Sequence, residues 1–390
     1  MARPLPIHDL VADSYVSHAV DLMRYEAGVR KRVLAQLLLL QDDLEKQIRL
    51  MDQVPGMPEP ARRRKAEALI SQTRQTISTA MDAAGGELDS EMVDLAKVES
   101  RAVVASGNAA FGGSVLTTTL TRKTLATVVG NVLIEGAPSR DWWAEQSRRT
   151  RMRFASQVRL GILGGETNAD IVRRVRGRST GVRRVVKTKA GKTRVLHEFR
   201  GGVMDATTRE AEALVRTSVQ TAANQVADEV YRENGNVLRG RQALATLDKR
   251  TSEICMARAG SAWDFDGKAL PESPRQESFP GPPPWHWNCR TILIPLTKPW
   301  EQIVEESSGK KIKKLKRRVP VKTRAAMGGP VASDLNFEGW LKTKPKAFQI
   351  EKLGPEKWQL WHDGKITLPQ LIDQTGRPLT LVELREKAKR

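Results

Sequence analysis

The chain has 390 residues, 39% hydrophobic and 28% charged, with a formal net charge of +20. That length accommodates two or three domains, and the composition is that of a soluble protein, lean for one compact core. Two cysteines exclude a disulfide framework and point to a reducing compartment.

The start, Met1-Ala2-Arg3-Pro4, lacks the apolar stretch of a secretory signal. The best candidate for a membrane span, Ser114 to Ile134, is interrupted by Arg122-Lys123, so no stable span is expected.

From Val11 to Met51, apolar residues recur at helical intervals (Tyr15, Ala19, Leu22, Val29, Val33, Leu37, Leu40, Leu44, Ile48), which predicts a long amphipathic helix. Val54 to Pro60, with three prolines, stops it. A second helix through Leu69, Ile77 and Met81 is expected to end at Gly85-Gly86, and a third to run from Glu87 to Ala105. Residues 1–106 thus read as a helical hairpin or three-helix region, of a kind more suited to assembly than to chemistry.

Residues 107–300 read as a central domain. It opens with further helices, one starting near Asp141-Trp142-Trp143, followed by a loop at Gly161 and a helix capped near Thr167 or Asn168. Two β-branched, basic runs then flank Ala190-Gly191, the pattern of a hairpin arm over 182–200. A hairpin this charged cannot bury both faces, so it projects or lies on a partner. A helix from Thr207 to Glu233 follows. Leu244–Leu247 reads as a strand entering a turn at Asp248, and Thr291–Pro295 as a strand leaving a turn at Cys289. This pattern places the two turns side by side at the ends of neighbouring strands. Residues 301–326 read as a basic linker and 327–390 as a tryptophan-containing tail closed by a helix from Thr380 to Lys389. Seven of the nine tryptophans fall between Trp263 and Trp361, which fits a small core or an interface. The expected class is α+β, predominantly helical.

The positive charge is localised. Arg173 to Arg200 holds eleven Lys/Arg and one acid, and Lys310 to Arg324 holds nine and none. Together they account for nearly the whole net charge, the footprint of a polyanion or an acidic protein surface, or else of solvated linkers. The candidate contacts are Arg183, Arg184, Lys187, Lys189, Lys192 and Arg194 in the arm, and Lys310, Lys311, Lys313, Lys314, Lys316, Arg317 and Arg318 in the linker. Base-stacking aromatics are nearly absent, so a nucleic-acid partner would be held by its backbone.

Both cysteines lie in one element, running from Asp248-Lys249-Arg250-Thr251 through Cys255 and Gly260 to His286-Trp287-Asn288-Cys289-Arg290. Cys255, His286 and Cys289, with Asp248 as a candidate fourth ligand, are the donors zinc prefers. Ser252 occupies the place where a Cys-x-x-Cys knuckle would put its first thiol. The competing reading, favoured by the shortage of good ligands, makes Cys255 a small buried hydrophobe and has His286 and Asp248 hold turns by hydrogen bonds. The cofactor is then zinc or none. A Cys255–His286 nucleophile pair is conceivable, but no nucleophile elbow, phosphate loop or dinucleotide fingerprint accompanies it, and no enzyme is expected.

The run Ala213-Leu214-Val215-Arg216-Thr217-Ser218-Val219, with Asn224, Tyr231, Ala245-Thr246-Leu247-Asp248, Arg250-Thr251, Cys255, Gly260 and Pro283-Pro284 through His286, Asn288, Cys289 and Arg290, resembles the phage head-morphogenesis (minor head protein) family typified by the F protein of phage Mu. The resemblance covers about Arg153 to Pro295. It implies a low-copy virion protein without catalytic activity, assembled in host cytoplasm and placed inside the head or at the portal vertex. Its implied partners are the portal protein, other virion proteins and the phage DNA backbone, with several copies around the portal. Where many members carry a cysteine pair before the glycine, this chain has Ser252 and Cys255. Arg216, Asp248, Arg250, Thr251, His286 and Arg290 are then expected to pin the two turns through charge-assisted hydrogen bonds. Two rival readings remain: an ejected protein that uses the Val11–Met51 helix on DNA or membrane, and a zinc- or cysteine-dependent hydrolase.

Overall fold

Helical periodicity dominates the architecture as it does the sequence. The computed structural model describes residues 7–51, 57–111, 113–188, 191–299, 323–324, 331–332 and 336–389. It is 61% helical with small sheets, an α+β protein of predominantly helical content. Among the described residues no helix is long and apolar enough to cross a membrane. Packing divides the chain into two units, one of Met1–Met23, Leu95–Gly130 and Gln220–Arg390, the other of Arg24–Asp94 and Asn131–Val219. Residues 1–106 are therefore shared between units.

In the second unit, the seam of α1 (Ile7–Arg49) buries Val29, Val33, Leu37, Leu40, Leu44 and Ile48, all at steps of three or four. Its partner α2 (Glu59–Phe111) runs antiparallel. Tyr25 Oη donates to Glu91 Oε2 at 3.0 Å, and Gln47 Nε2 donates to Thr76 Oγ1 at 3.2 Å. The expected break at Gly85-Gly86 does not occur. Glycine costs a helix about 1 kcal/mol without forbidding it, and burial of Met81, Ala84, Leu88 and Met92 keeps the 3–4 spacing across the pair. Gly85 has a packing role as well, because a Cβ there would lie 3.0 Å from the ring of Trp143.

Along the chain, a short helix α3 (Arg122–Gly130) and the paired strands β1 (Leu133–Ile134) and β2 (Ala137–Pro138) precede α4 (Ser139–Leu163). Helix α4 carries Trp143 and continues through Gly161, in place of the expected loop. The glycine serves packing there rather than a turn: a Cβ on Gly161 would meet the side chain of Ile171 at 2.6 Å. Next, α5 (Asn168–Arg176) starts at a complete capping box, Thr167 with Asp170. The hairpin pairs β3 (Gly177–Lys187) with β4 (Thr193–Gly201), longer than the sequence pattern indicates. Val186 and Leu196 are buried while Val185 and Val195 are exposed, so only one face is covered.

In the first unit, α6 (Val203–Glu233) contributes its segment from Gln220 onward and packs on a three-stranded antiparallel sheet in the order β6-β5-β7. These strands are β5 (Leu238–Leu244), β6 (Ala262–Trp263) and β7 (Ile292–Thr297). Strand β5 ends at Leu244, the residue at which the sequence pattern has it begin. Its sequence, Leu238-Arg239-Gly240-Arg241-Gln242, hides a strand because Arg241 looks solvent-seeking. Arg241 is instead fully buried, hydrogen-bonded to Asp228 of α6 and stacked 3.7 Å over the ring centroid of Phe279.

Most of the 301–326 linker lies outside the described residues; Thr323–Arg324 pairs with Val331–Ala332. The tail is no appendage. Helices Phe337–Lys342, Lys346–Leu353, Pro355–His362 and Leu381–Lys387 enclose a core of Trp340, Trp358, Trp361 and Leu384 that takes in Leu247, Met256 and Ala257. Of the clustered tryptophans, Trp263, Trp340, Trp358 and Trp361 are buried, Trp285 and Trp287 are half-buried, and Trp300 lies outside the described residues.

Candidate functional site

The β5–β7 register brings the two turns together. Leu244 faces Ile292, so the segment leaving β5 and the segment entering β7 share one end of the sheet. Asn224 and Tyr231 of α6 hold that end. Asn224 Oδ1 accepts from the Leu293 N–H at 3.0 Å and its Nδ2 donates to Thr291 O at 3.1 Å; Tyr231 Oη donates to Leu293 O at 3.0 Å.

Asp248 is the hub of the first turn. Its carboxylate receives both arms of the Arg290 guanidinium, at 2.5 and 2.7 Å, and the Arg250 N–H at 2.9 Å. Thr251 Oγ1 lies 3.2 Å from the same carboxylate and donates to Thr246 O at 2.5 Å. Burial pushes the Asp248 carboxyl up, but the hydrogen bonds and charge of Arg290 outweigh it and hold the group below its ordinary value. Asp248, Thr251 and Arg290 are thus joined by hydrogen bonds at this turn.

Arg250 and Arg216 are placed differently. The Arg250 side chain is 80% exposed and 3.9 Å from Asp248, so its backbone, not its charge, makes the contact that counts. Arg216 lies in the other unit, 3.9 Å from Glu26 and from Glu212 on α6.

The second turn, His286 to Cys289, closes by Cys289 N–H donating to His286 O at 3.1 Å, with Asn288 in the left-handed region at φ 61°. Asparagine tolerates that conformation better than most residues do. Here Cys255, on the short helix α7 (Glu253–Arg258), meets the turn. Cys255 Sγ is 3.1 Å from His286 Nε2 and 3.4 Å from Cys289 Sγ. Ser252, the N-cap of α7, places its Oγ 2.8 Å from the same Nε2. His286 Nδ1 is 2.8 Å from Trp287 O, a carbonyl that only an N–H can meet, which leaves Nε2 as the lone-pair atom in the neutral ring. Both thiols are buried. The hydrogen bond between the two sulfurs holds Cys289 below its ordinary value and drives Cys255 up.

Asp248, the candidate fourth ligand, is committed to Arg290 and is absent from the group of close donors, which is Cys255, His286 and Cys289. Ser252, which the sequence marks only as a missing thiol, is the residue beside them. A nucleophilic cysteine needs access and a lowered pKa; Cys255 is 3% exposed and its thiol is shifted the other way.

The tail reaches this site, which no sequence pattern indicates. Lys352 donates to Lys249 O at 3.0 Å and also to Thr251 O, and Lys357 pairs with Glu253 at 2.5 Å. A groove of about 610 Å³ beside Asp248 and Arg290 is lined mainly by apolar side chains, among them Val16, Ala19, Val20 and Leu244.

The basic candidates divide. Arg183 and Lys192 are exposed, as are Arg178 and Arg200, which face each other at the base of the hairpin. Arg184 is paired with Glu198 across the hairpin, and Arg194 with Asp42 and Asp43 of α1. Lys189, Lys310, Lys311, Lys313, Lys314, Lys316, Arg317 and Arg318 lie outside the described residues, as does the side chain of Lys187. No family model, no curated protein and no solved structure matches this chain.

Proposed function

We propose that this chain is a structural protein of a bacteriophage head, a minor head protein at the portal vertex that acts in head assembly, DNA packaging or DNA delivery and carries out no catalytic step. One observation carries the reading. Asn224, Tyr231, Asp248, Thr251, Cys255, His286, Cys289 and Arg290, which carry the family resemblance, converge on one end of one sheet. Apart from the thiol–imidazole cluster, their polar atoms are spent on backbone groups and on one another. That is how a motif looks when it specifies a fold rather than a reaction. The exposed cations Arg178, Arg183, Lys192 and Arg200 support contact with a nucleic-acid backbone or an acidic protein face.

Quantitative mass spectrometry of purified particles carrying this gene, before and after triggered DNA release, tests the proposal. A low copy number retained in emptied particles is expected. Loss of the protein with the DNA would replace the portal-bound role by an ejected one. Absence from both kinds of particle would sink the reading.

A further inference from the structure

We infer that Cys255, Cys289 and His286 Nε2 bind one zinc ion, with Ser252 Oγ at the fourth position in place of Asp248. This inference rests on the geometry of the cluster and is independent of the virion reading.

The donor set is the first argument. Two thiols and an imidazole nitrogen within 4.8 Å of one another are the ligands zinc takes in structural sites. Distances are the second. A tetrahedral ion with zinc's bond lengths spaces its ligands by about 3.8 Å for two sulfurs and about 3.6 Å for sulfur and nitrogen. The observed separations are 3.4 Å between the sulfurs, 3.1 Å from Cys255 Sγ to Nε2 and 2.8 Å from Ser252 Oγ to Nε2. Lengthening each of these separations by about half an ångström admits the ion.

The orientation of His286 also suits a metal. A metal-bound histidine commonly donates its other N–H to a carbonyl or carboxylate, which fixes the tautomer. His286 Nδ1 does this toward Trp287 O at 2.8 Å, and Nε2 is the atom aimed at the thiols. Both cysteines would bind as thiolates, so binding releases to solvent any proton that the thiols still hold.

The role that follows is a staple. Between β6 and β7 the chain runs from residue 264 to 291 with only an isolated bridge, Trp263 to Ala269, as regular pairing. A zinc ion would tie α7 to the far end of that stretch, beside the buried cluster of Ala245, Cys255 and Cys289. Ser252 explains why the signature is hard to read: its hydroxyl stands where a Cys-x-x-Cys knuckle has a thiol.

The experiment is metal analysis of the full chain, purified under reducing conditions from zinc-supplied cells, followed by cobalt(II) exchange. One zinc per chain is expected, and the cobalt form should show tetrahedral bands with thiolate charge transfer. Cys289→Ser and His286→Ala should lose the metal, whereas Asp248→Asn should keep it. Ser252→Cys should hold zinc at a chelator concentration that strips the unmodified chain. The cobalt spectrum needs no variant, so it stands even if the substituted chains fail to fold. A folded chain without zinc, whose two thiols titrate freely and whose cobalt spectrum lacks thiolate bands, would overturn the site. So would a Cys255–Cys289 disulfide in place of bound metal. Retention of zinc unaffected by Ser252→Cys would overturn the fourth ligand.

Discussion

Asp248 joins two turns that are 42 residues apart at the Arg290 contact. Its carboxyl is held below the ordinary value, so the sign of its pH dependence is set. The stabilisation is complete above the unfolded value, about 3.9, and is lost as pH falls through the lower folded value. Asp248→Asn should lower stability at neutral pH by about 1.5–3 kcal/mol, the usual worth of hydrogen bonds to charged groups. The loss of melting temperature between pH 5 and pH 2 should also be shallower in the variant than in the parent. Identical melting curves at both ends of that range would remove Asp248 from the role given to it. The same logic explains Arg250, whose exposed charge contributes little because solvent screens it.

Among the elements, α2 offers the sharpest test, since two adjacent glycines do different things in one helix. Gly86 is exposed, and a Cβ added there would meet nothing within 4 Å, whereas Gly85 faces Trp143 at 3.0 Å. Gly86→Ala should therefore stabilise the protein by about 1 kcal/mol, the propensity difference alone. Gly85→Ala should give none of that gain, because the ring of Trp143 must move. Denaturant melts of the two variants separate the cases, and an equal gain in both would mean that the Trp143 contact is not tight. Strand β5 teaches a related lesson. A charged residue inside a strand is legible only once its partner is known, and Asp228 comes from the neighbouring helix.

For the molecule as a whole, the placement of the tail matters most. Arg258 and Arg275 share Glu277 at 2.8 and 2.9 Å in a buried cluster, and Arg275 reaches Asp373 O at 2.8 Å. Removing one member of such a cluster leaves uncompensated charge. Glu277→Ala should thus cost about 3–5 kcal/mol and open the tail to limited proteolysis. A variant with native melting and an intact tail would show that the tryptophan core alone holds residues 336–389 in place.

The sequence by itself determined the long helices, the hairpin, the clustered tryptophans and the pairing of the Asp248 and Cys289 turns. The first three depend on local periodicity, composition and turn chemistry, which are short-range signals, and the last on strand patterns that flank both turns. Tertiary structure alone decided the rest. It kept α2 continuous because burial on both sides outweighed two glycines. It buried Arg241 because Asp228 and Phe279 were there to receive it. It took Asp248 away from the thiols and put Ser252 beside them, because a bidentate arginine competes for a carboxylate and an N-cap hydroxyl lies where the helix begins. It also folded the tail onto α7, where Lys352 and Lys357 meet partners about a hundred residues away. Such pairings depend on which surfaces meet, and no periodicity encodes that.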